Sequence, residues 1–324
     1  MHRRMFGKAA VALASGPMLA VSQVLAQVPK SEARPAPEAA ADGIIDTHTH
    51  FYDPTRKEGV PWPTKGSTLY RPVYPADWKA VARPFGVTQT VVVEASPWLE
   101  DNQWILDLAE KDRSIVGLIG NLDPADDGFP EHLNRFTKNP LFRGIRWRGD
   151  KVPADVANET FRARAKSLAD HQMVLELNGG PPLHLQAAKI AKEFPSLKIM
   201  IDHVGLAGDA QHLSKEWIES IKTVAERPNV SIKISALTEQ TRLSDKEFGH
   251  APRELHEYLP ILNHCWTQFG DKRLLYGSDW PVCEKGGSYG DQFAIVKAYF
   301  DFRGKDAAAN YFKHNAQKFY GLKM

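Results

Sequence analysis

Residues 43–50 read Gly-Ile-Ile-Asp-Thr-His-Thr-His, a short apolar run that ends in polar residues. Because side chains alternate along a strand, we expect Asp46, His48 and His50 to point in one direction. Two imidazoles on one face, two residues apart, can bind one metal ion or one substrate carbonyl. The same pair could lie by chance on a surface strand, so the later strands decide between the two interpretations.

Seven further runs share the character of the first: they are short, largely aliphatic or β-branched, and mostly bounded by Gly, Pro, Asn or Asp. The eight predicted strands are 44–47, 90–94, 115–119, 144–147, 173–177, 198–201, 230–234 and 273–276. Near-continuous apolar runs of this kind are typical of strands buried on both faces of a parallel sheet.

Helical periodicity occupies most of the intervals between these runs. The predicted helices are 102–111, 161–169, 183–194, 217–225, 254–269, 293–302 and 306–320. Strand–helix alternation from residue 43 to 324 predicts a single α/β domain, a (β/α)8 TIM barrel. A doubly wound open sheet is the alternative, but no Gly-x-Gly-x-x-Gly follows the first strand, which argues against a dinucleotide-binding fold.

Two connections, 51–75 and 236–252, are long enough to form walls or a lid at the mouth of such a barrel. Active sites of TIM barrels lie at the carboxyl ends of the strands. The polar residues at the predicted strand ends are His48, His50, Glu94, Arg146, Arg148, Glu176, Asn178, Asp202, His203, Lys233, Ser235 and Asp279. Ionisable groups are costly there unless they are paired or functional.

Some of these groups have a structural explanation. Glu94, Glu176 and Lys233 could equally form ion pairs that support the barrel. His203 and Asp279 each interrupt an apolar strand at an abrupt turn, which favours a functional role.

Three motifs resemble the amidohydrolase superfamily: Asp-Thr-His-Thr-His at 46–50, Asp-His-Val-Gly at 202–205 and Gly-Ser-Asp-Trp-Pro at 277–281. The sequences at 91–96, 143–146 and 232–235 are similar to the branch that contains sugar-acid lactonases and pyrone-dicarboxylate lactonase. The resemblance covers residues 44–324. It implies a TIM-barrel hydrolase that opens a lactone, or a related cyclic ester or amide, of a small anionic substrate.

The resemblance also implies a ligand set for one divalent ion, Zn or Mn, made of His48, His50, His203 and Asp279. Metal-bearing members usually supply a further histidine at the end of strand five. Here that segment is Glu-Leu-Asn-Gly at 176–179, and the next histidine, His184, falls in a predicted helix. A metal-free mechanism, in which the histidines polarise the substrate carbonyl, therefore stays open.

The expected roles follow from chemistry. Asp279 is the general base, and the three histidines either hold the metal or donate hydrogen bonds to the oxyanion. Arg146 would bind an anionic group of the substrate, because a guanidinium suits carboxylate recognition. The remaining substrate-binding candidates are Arg148, Glu94 and Asn178.

Two other functions stay open. A metal-dependent decarboxylase of an aromatic or muconate-type acid would share the fold and the first-strand histidine pair. A non-catalytic periplasmic binding protein is the other, although the intact His48, His50, His203 and Asp279 set argues against it. The small formal charge of +2 gives no indication of binding to nucleic acid or to a membrane surface.

The N-terminus has the pattern of an export signal. Arg3-Arg4 precedes an apolar stretch at 9–21, and Val24-Leu25-Ala26 is a plausible cleavage site. The arginine pair resembles a twin-arginine signal, with an ordinary secretory signal as the alternative. We expect a signal at 1–26, a disordered tether at 27–42, and a periplasmic or secreted barrel at 43–324. The export partner would be the twin-arginine machinery, and the mature form would have no membrane span.

The chain has two cysteines, Cys265 and Cys283. They could form one disulfide, but their spacing matches no zinc or redox motif. We expect two buried thiols.

Overall fold

A computed structural model describes residues 43–153, 155–241 and 251–322. The eight strands are β1 (Ile44–Thr49), β2 (Val87–Val93), β3 (Ile115–Gly120), β4 (Phe142–Arg148), β5 (Val174–Asn178), β6 (Lys198–Ile201), β7 (Val230–Ile234) and β8 (Leu274–Tyr276). They form one parallel sheet in the order β1 to β8.

The two edge strands of this sheet meet and close it. A parallel bridge joins Thr49 to Trp280, and the Asp279 amide donates to the His48 carbonyl at 2.8 Å. The His50 amide donates to the Trp280 carbonyl at 2.9 Å. The predicted (β/α)8 barrel is confirmed, and each of the eight predicted strands overlaps an observed one.

Helices occupy the connections between the strands and the segment that follows β8. They are α1 (Pro75–Ala82), α2 (Leu99–Lys111), α3 (Phe129–Phe136), α4 (Glu159–Asp170), α5 (Pro181–Glu193), α6 (Lys215–Ala225), α7 (Leu237–Gln240), α8 (Leu259–Phe269), α9 (Tyr289–Arg303), α10 (Lys305–Ala309) and α11 (Asn315–Tyr320). The predicted helix 306–320 is interrupted by a π-helical turn at Asn310–His314. Helices α1, α3 and α7 were not predicted. The first two have eight residues each and α7 has four, so each offers only one or two turns for a helical pattern.

Apolar side chains form two layers. The outer layer packs the strands against the helices and includes Val92, Leu118 and Trp147. The inner layer fills the barrel with side chains such as Val91 and Val93. At the amino-terminal ends of the strands, Phe319 and Tyr320 of α11 join this inner layer and close the floor.

One prediction about β1 was wrong. The pairing of β1 with β2 is irregular between Asp46 and Thr49, so strict alternation fails there. Asp46 accepts hydrogen bonds from the Trp78 indole of α1 at 3.3 Å and the Tyr289 hydroxyl of α9 at 3.1 Å. It therefore faces the helical layer and does not share a face with His48 and His50.

Both cysteines are free and buried, as expected. Among the described residues, no helix has the length and apolar character needed to cross a bilayer. The predicted signal and tether lie outside the described residues and stay predictions.

Candidate active site

The four residues singled out at the ends of β1, β6 and β8 converge on one carboxylate. Asp279 Oδ1 lies 3.0 Å from His50 Nε2 and 3.5 Å from His48 Nε2. Asp279 Oδ2 lies 3.9 Å from His203 Nδ1. All four residues are at most 5% exposed, so these contacts act in a medium of low dielectric where they are strong.

The local backbone is conformationally strained at several of the residues that carry or adjoin these side chains. Six non-glycine residues of the described chain have a positive φ, and five of them follow β6, β7 or β8: His203, Val204, Leu206, Ala236 and Asp279. Each such conformation costs about 1–3 kcal/mol and concentrates at functional sites. The φ angles are 55° for His203 and 57° for Asp279. This backbone conformation directs both side chains into the barrel mouth.

A glycine allows β1 and β8 to approach each other closely beside this cluster. A Cβ atom on Gly277 would lie 2.9 Å from the Cβ of His48. Such a distance is too short for two carbon atoms. Gly277 therefore permits His48 to sit directly beside the turn that carries Asp279.

The histidines hold Asp279 in its charged form. Burial alone would raise the pKa of Asp279, but His203, His50 and His48 outweigh burial and hold the pKa well below its ordinary value of 3.8. Burial lowers the pKa of His48 well below 6.5, and nearby Lys233 lowers it further. Burial also lowers the pKa of His203. The cluster is an ionised carboxylate that lies among three imidazole rings.

The donor set fits a single divalent cation. Nitrogen atoms of His48 and His203 and a carboxylate oxygen of Asp279 lie within 4.8 Å of one another. His50 lies outside that set. Its Nδ1 contacts the Val93 carbonyl at 2.9 Å and must carry the proton there, since a carbonyl only accepts. Its Nε2 then faces the Asp279 oxygen, and a proton or a cation must lie between the two atoms.

Arg146, another predicted site residue, reaches the cluster. Its NH1 lies 3.3 Å from His48 Nε2. Its Nε donates to Glu94 Oε1 at 2.9 Å, and its NH2 donates to the Glu94 carbonyl at 2.6 Å. Glu94 thus holds two nitrogens of the guanidinium and leaves NH1 directed at the site.

The other two substrate-binding candidates lie further out. The Arg148 side chain is 51% exposed, and its NH2 is 3.5 Å from Glu94 Oε1. Asn178, the last residue of β5, is partly exposed. The structure brings neither side chain into contact with the His–Asp cluster in any hydrogen bond of the described residues.

The long connections contribute as walls. Trp62 from the connection 51–75 packs edge-on against His50, with ring centroids 6.0 Å apart. Gln240 of α7 donates to the His203 carbonyl at 3.2 Å. Residues 242–250 of the second connection lie outside the described part of the chain, so the prediction that this connection forms a wall or a lid stays a prediction.

Glu239 was not among the predicted site residues; it lies on α7 and hydrogen-bonds to Asp279. Burial and the charge of Asp279 raise the pKa of Glu239 well above its ordinary value. The only signal in the sequence was a lone carboxylate soon after the seventh strand, within a segment that read as a covering loop. His184, by contrast, is structural: its ring contacts the Ser220 hydroxyl at 2.9 Å and the Gly179 carbonyl at 3.1 Å.

Comparisons with known proteins agree with this geometry. Residues 45–322 match the family model described as Amidohydrolase. An L-fucono-1,5-lactonase from Burkholderia ambifaria is 30% identical over 286 residues, which cover 86% of this chain and 95% of the relative. A 4-sulfomuconolactone hydrolase from Rhizobium radiobacter is 25% identical over 267 residues, which cover 79% of this chain and 81% of the relative.

A solved structure shows the same fold. A crystal structure of an amidohydrolase from Burkholderia multivorans with bound zinc superposes with a TM-score of 0.76 at 21% identity, and the match covers 87% of this chain and 100% of the other. The family match spans nearly the whole barrel, including every strand that carries a candidate site residue. The chain is a hydrolase and belongs to the amidohydrolase family.

Proposed function

We propose that this chain hydrolyses the lactone of a sugar acid, with Asp279 as the general base. The observation that carries the proposal is the contact of the Asp279 carboxyl group with His50 at 3.0 Å and His48 at 3.5 Å. The two named lactone hydrolases among the relatives support the reaction class.

The reaction needs one proton carrier. Asp279 takes a proton from water as the oxygen adds to the lactone carbonyl carbon. When the ring C–O bond breaks, Asp279 returns the proton to the leaving alkoxide, and the product is a hydroxy acid. At neutral pH the carboxylate carries no proton, because the three histidines hold its pKa below its ordinary value.

The developing oxyanion needs hydrogen-bond donors in a site that is shielded from bulk water. Arg146 NH1 is the charged donor next to His48, and Glu94 keeps it in place. His203 is oriented by the Ser235 hydroxyl, 3.0 Å from its Nδ1. Preorganised donors of this kind contribute most in a buried site, because they need no rearrangement during the reaction.

A divalent ion would be held by His48, His203 and Asp279, with His50 beside them, and would supply Lewis-acid polarisation of the carbonyl. Elemental analysis of the purified protein tests for it. If dialysis against a strong chelator leaves the rate unchanged, this part of the proposal is wrong.

The contacts of Arg146 favour a neutral substrate over the anionic one expected from the sequence. Two of its three guanidinium nitrogens are engaged with Glu94, so it cannot offer a two-pronged contact to a carboxylate. Arg148 is the one predicted anion contact that is half exposed. We therefore propose a polyhydroxylated, uncharged lactone ring as the substrate.

A panel of lactones tests the proposal. Each turnover releases one proton from the new carboxylic acid, which a pH indicator records. We expect neutral sugar lactones to react faster than pyrone dicarboxylates and muconolactones. The reverse order would restore the anionic substrate, release of carbon dioxide from an aromatic acid would identify a decarboxylase, and tight binding without turnover would identify a binding protein.

Export by a twin-arginine signal stays a separate proposal that rests on the sequence alone. Replacement of both Arg3 and Arg4 by Lys should trap the precursor inside the cell, whereas an ordinary secretory signal should tolerate the change. N-terminal sequencing of the mature protein should begin at Gln27.

A further inference from the structure

A fully buried group of charged side chains lies inside the barrel next to His48. Glu176 of β5, Asp202 after β6 and Lys233 of β7 are each 0% exposed. Buried charges are costly unless they compensate one another. The group is not part of the proposed reaction, so its arrangement needs its own explanation.

The ammonium group of Lys233 touches every other member. Its Nζ lies 2.6 Å from Glu176 Oε2, 3.2 Å from His48 Nδ1 and 3.3 Å from Asp202 Oδ1. One ligand atom from each of His48, Glu176 and Asp202 lies within 4.8 Å of the others. These three residues are therefore spaced like a metal-ligand set, and the ammonium nitrogen occupies its centre.

The surroundings of Asp202 are those expected of a carboxylate that binds a cation. Neither of its oxygens makes a hydrogen bond with any described residue. Its nearest partners, Lys233 at 3.3 Å and His48 Nδ1 at 3.5 Å, are at ion-pair distances. Glu176 differs, because the Tyr320 hydroxyl donates to its Oε1 at 2.6 Å and Lys233 contacts its Oε2.

We propose that Glu176, Asp202 and His48 form a second divalent-cation site, and that the ammonium of Lys233 fills it as a built-in cation. The two ligand sets share only His48 and approach opposite nitrogens of its ring: Nδ1 faces Lys233, and Nε2 faces Asp279. A neutral imidazole has one free lone pair, so His48 could ligate an ion in each set only as a bridging ligand that has released its ring proton to solvent. Lys233 therefore limits the centre to at most one exchangeable metal ion. This inference goes beyond lactone hydrolysis and does not depend on it.

Charge and space both support this assignment. With both carboxyls ionised, Glu176 and Asp202 would outweigh the single charge of the ammonium and leave the trio with a net charge of −1. Burial and the neighbouring Asp202 raise the pKa of Glu176 to about 7. A divalent ion in place of the ammonium would neutralise the two carboxylates. Carboxylate–metal distances of about 2.0–2.2 Å are shorter than the ammonium contacts, so removal of the lysine side chain leaves room for an ion and water.

Metal stoichiometry tests the proposal. Apoprotein, prepared with a chelator, is equilibrated with excess Mn²⁺ or Zn²⁺, passed through a desalting column and submitted to elemental analysis. We expect Lys233→Ala to bind one ion more per chain than the wild type. The double variant Lys233→Ala/Glu176→Gln should return to the wild-type count, because it has lost an anionic ligand.

A matched control separates charge from space. Lys233→Met removes the same charge but fills the same volume, so it should bind no more ions than the wild type. Equal counts for Lys233→Ala and the wild type would overturn the proposal, as would an extra ion that survives Glu176→Gln. If Lys233→Ala fails to fold, the wild-type count decides: a plateau at one ion or none supports the proposal, and two ions contradict it.

Discussion

The substitution Asp279→Asn changes the chemistry of the site with the least change in shape. Asparagine keeps the shape of the side chain, and its amide NH2 can donate to His50 Nε2, which now lies 3.0 Å from the carboxylate. It cannot accept a proton from water at neutral pH. The three surrounding imidazoles lose their charged partner but keep their backbone positions.

The expected effect is large on the rate and modest on stability. Loss of a general base lowers kcat by about 10²–10⁴-fold, which corresponds to about 3–5 kcal/mol in the activation barrier. One charge-assisted hydrogen bond becomes a neutral one, and we expect unfolding to become easier by about 1–2 kcal/mol. KM should change little, because the substrate contacts assigned to Arg146 are intact.

The assay is proton release from a neutral sugar lactone, followed with a pH indicator, together with thermal unfolding of the same samples. Asp53→Asn is the matched control. Asp53 is also buried, but it bonds to Thr55 and Tyr74 in the connection after β1. The control should keep wild-type activity. An Asp279→Asn rate within tenfold of wild type would remove Asp279 from the mechanism.

Three further outcomes follow from the same contacts. Arg146→Lys should lower kcat and destabilise the fold by about 1–3 kcal/mol, because lysine cannot replace the forked contact with Glu94. The control Arg148→Lys, at the half-exposed rim, should change the free energy of unfolding in urea by no more than about 0.5 kcal/mol. Burial lowers the pKa of His184 to about 4, so between pH 6.5 and pH 4 the unfolded chain takes up a proton that the folded chain does not. The free energy of unfolding should therefore fall by about 3 kcal/mol over that range on account of this residue, and His184→Gln should flatten the dependence by this amount. Gly277→Ala should reduce activity at least about tenfold and destabilise by about 1–3 kcal/mol, because its Cβ would press on His48 at 2.9 Å, whereas Gly149→Ala, which meets open space, should have no effect on the rate.

The barrel could be predicted from the sequence because its signals are local. A strand buried on both faces must be apolar along its length, and the eight apolar runs are visible without any knowledge of their partners. The strand ends are equally visible, since polar residues such as His203 and Asp279 stop an apolar run. Helices α1 and α3 were not predicted, because eight residues make only about two helical turns.

The sequence was a poorer guide to the face of the sheet on which each side chain lies. Alternation placed Asp46 with His48, but the irregular pairing of β1 and β2 turned Asp46 toward Trp78 and Tyr289. A bulge depends on the neighbouring strand, and a single strand carries no record of it. The partners of Arg146 were hidden for the same reason: Glu94 is distant along the chain and adjacent only in the closed sheet.

The sequence by itself determined the order of the strands, the residue types at their carboxyl ends and the resemblance that the family match confirmed. These properties depend on burial and periodicity, which act over a few residues. Only the tertiary structure decided which charges meet: Asp279 with three histidines, Glu94 with two arginines, and Lys233 with Glu176, Asp202 and His48. Coulombic and hydrogen-bond energies depend on distances of a few ångströms between groups far apart in the chain, and folding is what sets those distances.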